Sequence, residues 1–342
     1  MPWQARIGHG DLGGDMKVLV IGAAGMVGRK LVSALLASGN VGGRAITGLA
    51  LADVVDPQPP KATIPVATAA VDLSRPEVSA QLIADRPDLI FHLAAIVSGE
   101  AEADFEKGYR INLDGTRHLL EAIRLAAQGG SYRPRLVFTS SIAVFGEPLP
   151  EVIGDTHHHT PLTSYGTQKA ICELLLSDYS RRGFVDGVGI RLPTIVVRPG
   201  KPNKAASGFF SGILREPLAG QEAVLPVADS VRHWFASPRA AVGYLLHAAS
   251  IDTALLGHQR NLTMPGLAAT VSEEIAALER VAGTSATALI KREPDQTIID
   301  IVAGWPKAFE ASRAQALGFR GDASFDKIIR IHIEDELGGK IG

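Results

Sequence analysis

A tyrosine and a lysine four residues apart are the first residues in the sequence that suggest chemistry. Tyr165 and Lys169 belong to the segment SYGTQK at 164–169, and this spacing places two side chains on one face of a helix. A free phenol has a pKa of about 10, so it needs a neighbouring cation to act as a base at neutral pH. The pair predicts a proton-transfer site in which Lys169 activates Tyr165.

A serine before this helix completes the pattern. Thr139-Ser140-Ser141 ends an apolar strand, and its position favours Ser141 over Ser140 as the hydroxyl that orients a substrate oxygen. A tyrosine and a lysine at this spacing recur by chance on many helices, and alone the pair is more often structural. The ordered set of serine, tyrosine and lysine favours catalysis.

The segment VIGAAGMVG at 20–28 predicts a dinucleotide site. Gly22, Gly25 and Gly28 follow the first apolar run and open the first helical pattern, where backbone N–H groups can approach a pyrophosphate. Asp53 ends the second apolar run, and a carboxylate there accepts hydrogen bonds from an adenosine ribose and repels a 2′-phosphate. We therefore expect NAD rather than NADP, with Arg29 and Arg44 keeping the alternative open.

Strands that alternate with helices must position these residues. Continuous apolar runs predict buried strands at 18–21, 49–55, 89–93, 136–139 and 187–197, and apolar residues at helical spacing predict helices at 27–36, 78–84 and 115–127. This order predicts an α/β fold, a Rossmann-type doubly wound parallel sheet with a smaller C-terminal substrate-binding domain. We expect a tail at 1–15, an NAD-binding domain at 16–198 with a late strand near 259–265, and substrate binding mostly within 199–342.

Composition narrows the class of protein. The chain has 342 residues, a net charge of −2 and one cysteine, Cys172, without the basic block that nucleic-acid binding requires. No apolar stretch reaches the roughly 20 residues of a membrane span. We expect a cytoplasmic protein that binds neither nucleic acid nor membrane. Three successive histidines, His157, His158 and His159, cannot easily converge on one metal ion, and we expect no metal site.

Together these motifs resemble the extended short-chain dehydrogenase/reductase family, which includes nucleotide-sugar epimerases and dehydratases. Further matching stretches are HLAA at 92–95, NLDGT at 112–116 and TSSIAVFG at 139–146. The resemblance implies catalysis by Ser141, Tyr165 and Lys169, and a homodimer like those of relatives. It implies a cofactor site formed by Gly22, Gly25, Met26, Val27, Gly28, Asp53, Asp72, Leu73, Leu93, Ala94, Ala95, Asn112, Tyr165, Lys169, Pro193 and Thr194.

Two segments depart from the nucleotide-sugar enzymes of that family. Their usual Arg-x-x-Asn becomes Arg191-Leu192-Pro193-Thr194, and Arg-Asp-Phe becomes Arg232-His233-Trp234. The segments RLPTIVVRPGKPN at 191–203 and SGILREPLAG at 211–220 are similar to the D-erythronate dehydrogenase branch, which implies oxidation of a small sugar acid to 2-dehydro-D-erythronate. Ser141, Tyr165, Thr194 and Arg232 would bind that substrate, with Arg232 on its carboxylate.

Two other functions remain open from the sequence. A nucleotide-sugar epimerase or dehydratase would retain NAD without net redox change. A dinucleotide-binding regulator would need no catalytic residues, so the intact set of Ser141, Tyr165 and Lys169 argues against it.

Overall fold

The computed structural model describes residues 15–200 and 206–342. Its strands are β1 (Asp15–Ile21), β2 (Asn40–Val41), β3 (Arg44–Asp53), β4 (Val66–Ala70), β5 (Leu89–His92), β6 (Arg135–Ser141), β7 (Asp186–Leu192), β8 (Thr194–Ile195), β9 (Ala223–Leu225), β10 (Arg232–Ala236), β11 (Asn261–Thr263), β12 (Leu267–Thr270) and β13 (Ile290–Arg292). Its helices are α1 (Met26–Ser38), α2 (Pro76–Ile83), α3 (Ser98–Ala103), α4 (Phe105–Gly108), α5 (Gly115–Ala126), α6 (Ser164–Arg181), α7 (Gly208–Leu218), α8 (Pro238–Ser250), α9 (Val271–Ala282), α10 (Thr284–Thr287), α11 (Gln296–Ala303), α12 (Ser312–Ala316) and α13 (Phe325–Glu336).

The main sheet has the order β11-β7-β6-β5-β1-β3, and β3 also pairs with β4 and with the short β2. All of these pairings are parallel except the one between β2 and β3. Strand order reverses between β1 and β5, which creates a crevice at the carboxyl ends of the strands. This topology confirms the predicted doubly wound α/β fold.

Both faces of the sheet are covered, which explains the continuous apolar runs. Val18 and Val20 of β1 pack into a core shared with α1 and α8, whereas Leu19 and Ile21 pack into a second core with α2, α5 and α6. Each of these four side chains is at most 1% exposed. A parallel strand buried on both faces cannot alternate polar and apolar residues.

The C-terminal part builds a separate core beside the sheet. There β8, β10 and β12 form a small sheet, β9 pairs with β13, and α7, α9 and α13 pack around Phe210, Phe235 and Leu278. However, α8 and β11 pack with the main sheet. The division at 198 therefore stays a prediction.

Three expected boundaries were wrong. The second strand ends at Asp53 rather than residue 55, because Val54 and Val55 are 74% and 64% exposed. The run at 187–197 is interrupted at Pro193, since β7 ends at Leu192 and β8 joins the small sheet. Asp15, which we expected in the tail, begins β1, and the rest of the predicted tail lies outside the described residues.

No helix in 15–200 or 206–342 combines the length and apolar character of a bilayer span.

Candidate active site

The glycine loop after β1 packs directly against the segment after β5. Gly22 has φ +92°, and a Cβ there would lie 2.7 Å from the backbone nitrogen of Ala94. A Cβ on Gly28 would lie 2.2 Å from the carbonyl oxygen of Gly22. Only glycine allows this turn, which brings the N-terminus of α1, with Gly25, Met26 and Val27, to the crevice.

Asp53 connects the end of β3 to this loop. Its Oδ2 accepts a hydrogen bond from the N–H of Ala24 at 2.9 Å, and its side chain is only half-buried. A carboxylate held here beside a glycine turn fits the ribose of a dinucleotide, and the turn fits its pyrophosphate. The chain therefore has the features needed to hold a nicotinamide dinucleotide.

The residues predicted to contact the adenine and to line the path of the nucleotide follow β4 and β5. Although burial acts to raise it, the pKa of Asp72 lies below its usual value because of hydrogen bonds with Ser74 and the charge of Arg110. Leu73 is buried against α5, and Leu93, Ala94 and Ala95 are half-buried behind β5. These residues lie at the carboxyl edge on either side of the glycine loop.

Asn112 has its amide fully engaged by the protein. Its Oδ1 accepts from Ile96 N–H at 2.9 Å, and its Nδ2 donates to Ile96 O at 3.2 Å and to Gln168 Oε1 at 2.8 Å. It is 3% exposed. These contacts tie the loop after β5 to α6, which indicates that Asn112 holds the site together.

Ser141 and Tyr165 are brought together by close packing of α6 on the segment after β6. Thr163 caps α6 by accepting a hydrogen bond from Gly166 N–H, and a Cβ on Gly166 would lie 2.1 Å from Ala143 O. Ser141 caps the following turn by accepting from Ala143 N–H at 3.1 Å. Sequence reasoning did not single out Gly166, although its position between Tyr165 and Lys169 was a signal.

Lys169 lies below Tyr165 in the protein interior. Its Nζ donates to Thr139 O at 2.8 Å and lies 5.7 Å from the centre of the Tyr165 ring. It is 3% exposed, and burial lowers its pKa to about 8, although the neighbouring Cys172 and Glu173 act in the opposite direction. At neutral pH the ammonium form still dominates, because the pKa lies above 7.

Burial raises the pKa of Tyr165 to about 12. A hydrogen bond with Ser141 and the positive charge of Arg198 act in the opposite direction and favour the phenolate. Sequence reasoning did not single out Arg198, which follows Thr194 on the chain that leaves β7 beside Ser141. The expected activation of Tyr165 by Lys169, whose ammonium lies 5.7 Å from the centre of the phenol ring, stays a prediction.

Thr194 makes a hydrogen bond to a buried histidine. Its Oγ1 lies 2.7 Å from His233 Nε2, and His233 Nδ1 lies 2.8 Å from Pro306 O. A carbonyl can only accept, so Nδ1 carries the proton and Thr194 donates to Nε2. Burial lowers the pKa of His233 to about 4, which keeps the ring neutral. Pro193 is buried between this pair and the end of β7.

Arg232 is more exposed than the other residues predicted to bind substrate, and its guanidinium is already in an ion pair. Its side chain is 41% exposed and lies 3.4 Å from Glu273 Oε2, at the N-terminus of α9. Phe235, three residues later on β10, is the residue that pairs with Thr194. Binding of a substrate carboxylate by Arg232 therefore stays a prediction that an existing ion pair opposes.

A buried ion pair lies behind the catalytic residues. Glu173 on α6 accepts from Arg191 Nη2 at 2.7 Å, from Ser140 Oγ at 2.5 Å and contacts His159 Nε2 at 2.9 Å. Glu173 is 0% exposed and Arg191 7%. Burial acts to raise the pKa of Glu173, but His159 and Arg191 hold it below its usual value. The pair joins β6, β7 and α6.

His159 is thereby engaged with a carboxylate, and the ring of His157 stacks on His158 at 4.9 Å. In the described part of the chain, no group of three or more His, Cys, Asp or Glu side chains is arranged to hold a metal ion.

A cavity of about 500 Å³ lies at the opposite, amino-terminal edge of the sheet. Two of the four arginines that line it are paired within the fold, Arg44 with Asp88 at 3.1 Å and Arg135 with Asp186 at 2.8 Å. We assign the chemistry to the carboxyl edge, where the glycine loop, Ser141 and Tyr165 lie.

A doubly wound sheet with a glycine loop and a serine, tyrosine and lysine set defines a dinucleotide-dependent enzyme of the epimerase and dehydrogenase type. Residues 18–261 match the model of the NAD dependent epimerase/dehydratase family. The chain belongs to this family.

Two curated proteins and one crystal structure are similar to almost the whole chain. The chain is 50% identical to a D-erythronate dehydrogenase of Cupriavidus necator, over 94% of this chain and 98% of that protein. It is 44% identical to a D-erythronate dehydrogenase of Haemophilus influenzae, over 94% of this chain and all of that protein. It is also similar to a crystal structure described as a nucleoside-diphosphate-sugar epimerase from Agrobacterium tumefaciens, with 61% identity, a TM-score of 0.94, and coverage of 99% of this chain and 100% of that one.

We predict that Glu173→Gln destabilises the fold. The glutamine keeps the shape but leaves the Arg191 guanidinium as a buried charge without a counterion, so the free energy of unfolding should fall by about 3–5 kcal/mol. Urea denaturation monitored by circular dichroism measures the change. The matched control is Glu279→Gln, on an exposed face of α9. Equal stability of the two variants would contradict a structural role for the buried pair.

Proposed function

We propose that the protein oxidises D-erythronate to 2-dehydro-D-erythronate with NAD, releasing NADH and a proton. The observation that carries this proposal is the convergence of Ser141, Tyr165 and Lys169 at the end of β6, on the same edge of the sheet as the glycine loop after β1. The two D-erythronate dehydrogenases that match nearly the whole chain support the substrate. The reaction converts a CH–OH group next to a carboxylate into a ketone.

The chain's own residues supply binding, orientation and proton transfer. The substrate hydroxyl hydrogen-bonds to Ser141 and gives its proton to the ionised oxygen of Tyr165, while the C2–H bond breaks as a hydride and the C=O bond forms. The bound nicotinamide supplies the acceptor for that hydride. Lys169, held by Thr139 O, places an ammonium under the Tyr165 ring and hence favours ionisation of the phenol.

The Agrobacterium tumefaciens structure favours a second candidate, a nucleotide-sugar epimerase. Such an enzyme would use the same three residues but would return the hydride to the sugar, so no NADH would accumulate. Thr194, where nucleotide-sugar enzymes of the family usually carry asparagine, already donates its hydroxyl to His233. This departure favours the sugar acid over a nucleotide sugar.

We predict that the purified protein forms NADH from D-erythronate and that Tyr165→Phe slows turnover by roughly 10²–10⁴-fold, because positioned proton transfer typically contributes this factor. Absorbance of NADH measures the rate, with UDP-glucose and other nucleotide sugars run in parallel. Tyr179→Phe, a partly exposed tyrosine on the same helix, is the matched control. NADH-free conversion of a nucleotide sugar would establish the epimerase instead, and full turnover by Tyr165→Phe would remove Tyr165 from the mechanism.

We also propose that the cofactor is NAD rather than NADP, because a 2′-phosphate would meet the carboxylate of Asp53. Asp53→Asn retains an acceptor for Ala24 N–H but loses the charge, so the NAD-to-NADP ratio of kcat/KM should fall about tenfold or more, as for loss of a charge-assisted hydrogen bond. Steady-state kinetics with both cofactors measure the ratio. Asp56→Asn, an exposed neighbour, is the control, and an unchanged ratio for Asp53→Asn would contradict the assignment.

We propose that the enzyme is cytoplasmic. We also propose that it forms a homodimer in which part of α5 and α6 is buried. Leu174 on α6 and Leu125 on α5 are 64% and 49% exposed, and a contact between copies would cover such side chains. Light scattering should give twice the chain mass, and Leu174→Glu should shift the protein toward monomer. A wild-type monomer at high concentration would contradict the dimer.

A further inference from the structure

Arg198 follows the strand that adjoins Ser141. Leu192, the last residue of β7, pairs with Ser141 of β6, and the chain then continues through β8 to Arg198. The backbone N–H of Arg198 donates to Ser211 Oγ at 3.0 Å, and its carbonyl accepts from Arg215 Nη1 at 2.8 Å. Both contacts come from α7, so this helix fixes the backbone that carries the guanidinium.

The guanidinium of Arg198 is also held, but by neutral oxygens. Its Nε donates to Ile195 O at 3.0 Å and its Nη2 donates to Ser207 Oγ at 2.7 Å. Within residues 15–200 and 206–342 it forms no ion pair with a carboxylate, and the segment 201–205, Lys-Pro-Asn-Lys-Ala, contains no acidic residue. The nearby Arg215 is already paired with Glu216. A half-buried cation is thus oriented without a counterion.

The position of this cation relative to Tyr165 indicates what it could bind. The guanidinium lies against the carbonyl of Ile195, next to Thr194, on the chain that leaves β7 beside Ser141. In keeping with this position, burial lowers the pKa of Arg198 and Tyr165 acts to raise it. When a substrate hydroxyl contacts Tyr165 and Ser141, the carbon next to the reacting carbon carries its substituent toward Arg198. A planar guanidinium matches a carboxylate there with two parallel hydrogen bonds.

We propose that Arg198, rather than the exposed Arg232, binds the carboxylate of the substrate and thereby restricts this active site to 2-hydroxy acids. The assignment rests on the proposed sugar-acid oxidation. It names a specificity residue in the segment after β8, anchored by Ser207, Ser211 and Arg215, whereas Arg232 stays paired with Glu273.

The experiment compares Arg198→Gln, Arg198→Lys and Arg232→Gln with wild type. For Arg198→Gln, kcat/KM for D-erythronate should fall about 10- to 150-fold, which corresponds to the roughly 1.5–3 kcal/mol of a hydrogen bond to a charged group. Lysine keeps the charge without the two-pronged geometry, so its loss should be smaller. D-erythronamide, in which a neutral amide replaces the carboxylate and keeps only one acceptor oxygen, should lose much less affinity than D-erythronate between wild type and Arg198→Gln.

A pH profile separates this role from a structural one. Other charged groups around the pair are Lys169 on α6 and Arg215 and Glu216 on α7, all retained in these variants. Because the charge of Arg198 lowers the pKa of Tyr165, its removal raises that pKa. The rise of kcat/KM with pH should therefore move to higher pH in Arg198→Gln and not in Arg232→Gln.

Arg280→Gln, in an exposed pair with Asp326, is the matched control for loss of a guanidinium. Thermal unfolding and NADH binding are measured for every variant to confirm folding. If wild type oxidises D-erythronate and Arg198→Gln behaves like Arg280→Gln, or if Arg232→Gln loses more activity, the assignment is wrong while the proposed function stands. If wild type oxidises another 2-hydroxy acid instead, the named substrate is wrong, and an unchanged kcat/KM for that acid in Arg198→Gln would overturn the assignment. If it oxidises no 2-hydroxy acid, both proposals fail.

Discussion

The contact between Gly166 and the carbonyl of Ala143 determines where the catalytic side chains lie. A Cβ at position 166 would approach that oxygen to 2.1 Å, so any side chain would push α6 away from the turn after β6. With glycine, the first turn of α6 lies against the residue that follows Ser141 and Ile142. Tyr165 therefore faces Ser141, and Lys169 reaches Thr139 one turn deeper.

Burial at this junction opposes the ionisation that catalysis needs. It raises the pKa of Tyr165 to about 12 and lowers that of Lys169 to about 8, so each group is pushed toward its neutral form. Opposing influences come from other residues: Ser141 and Arg198 act on the phenol, and Cys172 and Glu173 act on the ammonium. Because Glu173 is itself fixed by Arg191, the buried pair contributes both to the packing of α6 and to the charge of Lys169.

Much of the fold and the residue types of the site could be predicted because they leave local signals. Strands buried on both faces appear as apolar runs, and the glycine turn and the spacing of Tyr165 and Lys169 are visible in a few residues. β4 was missed because Val66–Ala70 is made mainly of small residues that are only partly buried. The break at Pro193 was missed because apolar residues continue through β8 into a different sheet.

Arg198 had no local signal, because its relation to Tyr165 depends on how the chain turns after β8 and is held by α7. Specificity in this family can therefore change without any change in Ser141, Tyr165 or Lys169. An epimerase and a dehydrogenase both need the proton and hydride chemistry of that set. Their substrates differ in the chemical group next to the reacting carbon. The segment from Thr194 to Arg198 meets that part of the substrate: it supplies a hydroxyl committed to His233 and a cation whose contacts in the described chain are neutral oxygens. A small anionic substrate suits this combination because its carboxylate would provide the missing negative charge.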